Sequence, residues 1–132
     1  MASELKVDKF TGVTTAGSID VTGEGNSTTT NLQQGLAKTW VNFNGDTDVS
    51  NDSLNVGSIT DDGTADYSIN FTNNMGNTGY LIHLSGGYNG SSGFGGTIRV
   101  ISTSETEYET TYDNANHLEF TTQCFSTHGD LA

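Results

Sequence analysis

The segment Asp66-Tyr67-Ser68-Ile69-Asn70-Phe71-Thr72 decides the fold. Its apolar residues Tyr67, Ile69 and Phe71 alternate with the polar Asp66, Ser68, Asn70 and Thr72. Successive side chains of an extended chain point to opposite faces, so this pattern predicts a half-buried strand. The alternation recurs on both sides. Ala37, Val41 and Phe43 alternate with Lys38, Trp40 and Asn42, and Tyr80, Ile82 and Leu84 with Leu81 and His83. Ile98 and Val100 flank Arg99, while Leu118, Phe120 and Cys124 are set against Glu119 and Gln123. Turn signals separate these runs: Asn44-Gly45, Asp61-Asp62-Gly63, Asn74–Gly79 and Gly86–Gly96. Gly63 is expected at a left-handed turn position. A helix is limited to one turn within 32–38. Strands this closely spaced predict an all-β antiparallel β-sandwich, jelly-roll-like or Ig-like, with an extended N-terminal arm.

Composition sets the thickness of the core. Thr, Gly, Ser and Asn supply 64 of 132 residues, and Leu, Ile, Val and Phe only 27. With a net charge of -12 the chain lies near the boundary of disorder. Its alternating segments argue instead for a folded domain with a thin core, which gains stability from a partner. Proline is absent. Each proline deletes a ladder donor, so its absence suits backbone pairing along most of the chain.

Several functions are excluded as expectations. The start Met-Ala-Ser-Glu-Leu-Lys holds no apolar stretch, so no signal peptide is expected. The apolar run Tyr80–Leu84 is far too short for membrane insertion. Lys6, Lys9, Lys38 and Arg99 are too few to neutralise a phosphate backbone, so nucleic acid is not an expected partner. Cys124 stands alone, which excludes an intrachain disulfide; it reads as a small buried hydrophobe, and Trp40 reads as core. His83, His117 and His128 lack metal-ligand spacing, and no serine is arranged with a His and an Asp. The chain is expected to be neither an enzyme nor a cofactor carrier. A polysaccharide hydrolase would rest on exposed carboxylates alone.

Charge divides the chain. Residues 1–45 carry a net charge of -1 and residues 46–132 a net charge of -11. Residues 1–34 offer Leu5, Val7, Phe10, Ile19 and Val21 among small polar residues, and read as an arm for docking or oligomerisation. Residues 35–132 read as the β-sandwich module.

Three stretches invite a site reading. The loop containing Asp46, Asp48, Asn51 and Asp52 clusters the oxygen ligands that calcium prefers, but it lacks an EF-hand's glycine and terminal Glu. A solvated turn is preferred there over a cation site at Asp46, Asp48 and Asp52. Glu105, Glu107 and Glu109 share one face of any strand over Thr103–Tyr112. Such like charges read as an exposed or aggregation-resistant face rather than a cation or subunit contact. The Gly86–Gly96 loop carries Tyr88, Asn89 and Phe94, which would contact a glycan or a neighbouring chain if the loop is more than a mobile hairpin.

Gly35-Leu-Ala-Lys-Thr-Trp-Val-Asn-Phe-Asn-Gly45, Ser58-Ile-Thr-Asp-Asp-Gly-Thr-Ala-Asp-Tyr-Ser-Ile-Asn-Phe-Thr72 and the ending Phe125-Ser-Thr-His-Gly-Asp-Leu131 carry a resemblance. Together they resemble a fibre-like, tail-associated virion structural module of marine tailed phages, including those of cyanobacteria, over residues 35–132. The acidic loop Asp46–Asp52 and the enlarged glycine loop at 86–96 depart from the usual pattern. The resemblance implies a β-rich homo-oligomer, with a trimer expected, made in the host cytoplasm and carried on the virion exterior. It implies contact with other virion proteins and no catalytic residue. A decorating component anchored by its arm is the main expectation. A receptor- or glycan-binding tip for host attachment, meeting a host surface glycan, is the alternative.

Overall fold

A computed structural model of the chain describes residues 4–13, 19–23, 29–87, 95–112 and 116–132. The chain divides into two compact units, Met1–Leu36 and Ala37–Ala132.

The first unit has little to bury. Residues 4–13 form no regular element and are exposed throughout. Strand β1 (Asp20–Thr22) pairs antiparallel with β2 (Thr29–Asn31), setting Val21 opposite Thr30. A single helical turn, α1 (Leu32–Gly35), follows, and Leu32 N donates to Ile19 O at 2.8 Å. No described residue of this unit is buried. Leu5 is 73% exposed, Phe10 61% and Val13 96%.

The second unit is all-β and antiparallel. Its strands are β3 (Ala37–Asn44), β4 (Val49–Leu54), β5 (Val56–Gly63), β6 (Asp66–Phe71), β7 (Leu81–Gly87), β8 (Gly95–Ile101), β9 (Glu105–Tyr112), β10 (Asn116–His117) and β11 (Thr122–His128). One sheet runs β4-β3-β11-β7. The other runs β5-β6-β9, with β8 on the far side of β9. Thr111 pairs with both Gly95 and His117, so β10 extends the line of β6 along the edge of β9 opposite β8.

The two sheets share one core. Val41 and Phe43 of β3 and Phe125 of β11 meet Tyr67, Ile69 and Phe71 of β6 and Tyr108 of β9. The rings of Phe43 and Tyr67 lie edge to face at 5.3 Å, and those of Tyr108 and Phe125 stack at 6.0 Å. Such contacts add about 0.5–1.5 kcal/mol each beyond area burial, which matters in a core this small. Tyr67, Ile69 and Phe71 are buried as their alternation predicts.

The chain changes sheets at Asn55, between β4 and β5, where φ is 59°. Its side chain holds the corner: Oδ1 accepts from Asn73 N at 2.7 Å, and Nδ2 donates to Asn73 O at 3.0 Å. Asparagine tolerates this left-handed backbone because its short amide bonds locally.

Several expectations are corrected. Gln123, Phe125 and Thr127 are the buried side of β11, so Cys124 faces outward and is only partly buried. Trp40 lies on the outer side of β3 with Asn42, opposite in direction to Val41 and Phe43. The alternation itself requires this, since β3 cannot bury both parities in one core. Val100 is exposed because a bulge at Arg99 breaks the alternation of β8. In the β5–β6 hairpin Gly63 does take a positive φ, 150°, but it shares the turn with a second positive-φ residue, Ala65 at 62°. Most of the loop read around Asp46–Asp52 is strand, since β4 starts at Val49.

The sheet edges differ in protection. Edge strands β4, β5 and β8 each carry charged residues, and each has a register shift in its pairing. Edge strand β7, Leu81-Ile-His-Leu-Ser-Gly-Gly87, has neither Asp, Glu, Lys nor Arg, and pairs with β11 without a shift. Charges and bulges are the usual devices that stop an edge from recruiting another strand. Only β7 lacks both among these four edges.

Candidate functional site

Antiparallel pairing places the outward side chains of β3, β11 and β7 in rows. Trp40, Ser126 and His83 form one row, and Asn42, Cys124 and Ser85 the next. These six residues line a groove of about 400 Å³ on the outer face of their sheet, with Val41, Leu84 and Phe125 completing it. Among the described residues that line it, none is Asp, Glu, Lys or Arg.

Several of these groups are fixed by neighbours. Asn42 Oδ1 accepts from Asn51 Nδ2 at 2.7 Å, and Asn42 Nδ2 donates to Cys124 Sγ at 3.1 Å. The rings of His83 and His128 meet edge to face at 5.8 Å. The groove therefore joins one indole to hydroxyl, amide, thiol and imidazole groups, and two of its residues, Asn42 and His83, are braced from outside by Asn51 and His128. It was missed in the sequence because Trp40 and Cys124 were assigned to the core; the parity of Trp40 with Asn42 was the signal that places it.

The opposite sheet carries the carboxylates. Glu105, Glu107 and Glu109 lie on one face of β9, with Thr106, Tyr108 and Thr110 buried on the other. Arg99, on the outer face of β8 next to the inward Ile98, lies among them. Its Nη1 is 2.9 Å from Glu109 Oε2 and 3.2 Å from Asp66 Oδ2, and its Nε is 3.3 Å from Glu107 Oε1. His117 Nδ1 lies 2.6 Å from Glu109 Oε1. Burial pushes the Asp66 carboxyl above the usual carboxylate value, against the opposing pull of Arg99. This arrangement is a cross-strand network in which three carboxylates share one guanidinium, rather than an open carboxylate pair.

The loop acids do not converge. Asp46 and Asp52 are exposed, and Asp52 Oδ1 accepts from the neighbouring Ser53 N at 2.8 Å. Asp48 sits at φ 55° with Oδ1 buried and unpartnered, and burial together with Asp61 and Glu119 raises its pKa. Among the described residues no group of three or more His, Cys, Asp or Glu is placed to hold a metal ion. Tyr88, Asn89 and Phe94 lie outside the described residues. Leu5, Val7, Phe10 and Val21 are exposed in the first unit, and Ile19 is partly buried there. Among the described residues no helix is long and apolar enough to cross a membrane.

No protein-family model, curated protein or solved structure matches the chain.

Proposed function

We propose that the chain is an oligomeric phage virion structural protein, a fibre-like or decorating component of the particle exterior anchored through residues 1–34. The observation that carries this reading is the contrast between the two units. Residues 37–132 enclose an aromatic core, whereas Leu5, Phe10, Val13 and Val21 stand in solvent on a unit in which no described residue is buried. Exposed apolar side chains on a segment without its own core call for another surface. The resemblance of residues 35–132 to phage fibre modules supports the setting, and the charge split supports the polarity. The near-neutral arm docks at little desolvation cost, while the acidic module stays in solvent.

The finer fold of the module is a β-sandwich. Eight long strands, four in each sheet beside the two-residue β10, with β3 and β11 adjacent, favour the jelly-roll-like form over the Ig-like one. Copies associate through β7, the edge without charge or bulge. Leu5 and Val7 alternate with Lys6 and Asp8, the pattern of a strand that a neighbour contributes to such an edge. One-way donation from copy to copy closes as a ring, and a trimer is the expected form.

Deleting residues 1–30 tests the anchoring. The shortened protein is expected to stay folded and soluble but to be missing from purified particles. Incorporation at the level of the full chain would refute the arm.

A further inference from the structure

We propose that the groove over Trp40, on the outer face of the β4-β3-β11-β7 sheet, binds a neutral saccharide. The inference does not depend on where the protein sits or how many copies assemble. Three observations carry it.

The first is the platform. Trp40 is the only tryptophan of the chain, and it lines this groove instead of joining the aromatic core. A pyranose ring presents an apolar C–H face and an equatorial rim of hydroxyls. A flat indole at the surface matches the first, because it offers a large apolar area with few rotatable bonds. The second is the polar complement. Asn42, Ser126 and Ser85 line the same groove, with His83 across Ser126 from Trp40. Sugar hydroxyls both donate and accept, as do hydroxyls, amides and neutral imidazole. Asn42 is already oriented by Asn51 and Cys124, so less ordering remains to be done on binding.

The third is charge. Residues 46–132 carry a net charge of -11, yet none of the described residues that line the groove is Asp, Glu, Lys or Arg. The absence of a cation argues against phosphate, sulfate or carboxylate on the ligand, and the absence of an acid argues against an amine. A volume of about 400 Å³ falls at the small end of ordinary ligand sites, the scale of one or two sugar rings. A host-glycan reading therefore no longer depends on the loop that carries Tyr88, Asn89 and Phe94.

Because Trp40 is the only indole, its fluorescence reports this groove directly. The full-length protein is titrated with three neutral hexasaccharides (β-1,4-glucan, β-1,4-mannan and β-1,3-glucan) and with an acidic hexagalacturonate. The expected result is a saturable change in emission with at least one neutral hexamer, half-complete at roughly millimolar concentration, and a response to the acidic one at least about tenfold weaker. Calorimetry with Trp40→Phe is expected to retain binding within about threefold, and with Trp40→Ala to lose it. Ser126→Phe fills the middle of the groove from a partly exposed position and is expected to abolish binding with the circular dichroism unchanged. No saturable change with any neutral hexamer up to about 20 mM, some twentyfold above the expected midpoint, would overturn the proposal. So would binding that survives Ser126→Phe, or an acidic response equal to the neutral one. The mass of the protein in solution is read separately, so failure here leaves the assembly reading standing, and the reverse also holds.

Discussion

Tyr108 is fully buried between the sheets, and its hydroxyl has no hydrogen-bond partner. Its ring stacks on Phe125 at 6.0 Å and lies 5.8 Å from Tyr67, so the aromatic body is well placed while the oxygen is not. Burial drives the phenol pKa far above its usual value, which reflects the same lack of solvation. Tyr108→Phe removes the oxygen and keeps the ring. An unpaired buried polar group costs about 1–3 kcal/mol. The void left by one oxygen returns roughly 0.3 kcal/mol of that, at about 24 cal/mol per Å³. The net expectation is a gain of about 1 kcal/mol, a rise in Tm of roughly 4–8 °C for a domain of this size. Urea and thermal unfolding measure it, with Tyr67→Phe as the contrast. The Tyr67 hydroxyl donates to Gly45 O at 3.3 Å, so its removal should cost about 0.5–1.5 kcal/mol. A Tyr108→Phe protein less stable than the parent would refute the reasoning, because it would show that the hydroxyl is paired.

Other changes separate the remaining parts of the account. A Cβ at Gly45 would lie 2.6 Å from Tyr67 Oη and 2.7 Å from Phe120 O, so Gly45→Ala should destabilise by about 1–3 kcal/mol in urea unfolding. Asp48 and Asp66 have folded-state pKa values raised above 3.8, so the folded state binds more protons than the unfolded one above that pH. Their contribution to stability therefore falls as pH rises through the raised values. Between pH 4 and pH 7 the Tm of the parent should fall more than that of Asp48→Asn. Arg99→Gln leaves Asp66, Glu107 and Glu109 without their cation, and should lower stability by about 1 kcal/mol at low salt and less at 1 M. Replacing Leu5, Val7 and Phe10 together by Ser should dissociate the oligomer in sedimentation while leaving the melt of the C-terminal unit in place.

The strands that bury one face were legible because their alternation is strict. Tyr67, Ile69 and Phe71 gave β6, and Val41 and Phe43 gave β3. Strand β4 was not, because Val49-Ser-Asn-Asp-Ser-Leu54 is exposed at every position and exists only by pairing with β3. Its polar sequence is indistinguishable from a loop until a partner strand supplies the hydrogen bonds. The parity of β11 was misread because Gln123 and Thr127 are polar yet buried, while Cys124 is apolar and faces out. Gln123 Nε2 donates to Thr110 Oγ1 at 3.4 Å, a bond that no local pattern encodes. Arg99 shows the same limit: its place beside Glu107 and Glu109 of β9 and Asp66 of β6 follows from pairings between strands distant in sequence. The groove over Trp40 depended on that parity, and on a register that brings β3, β11 and β7 together from distant parts of the chain.

Light scattering of the purified full-length protein at micromolar concentration, beside the protein lacking residues 1–30, tests the central claim most directly. The account predicts a trimer for the full chain and a folded monomer for the shortened one. A full-length monomer, or a trimer that persists without residues 1–30, would contradict it.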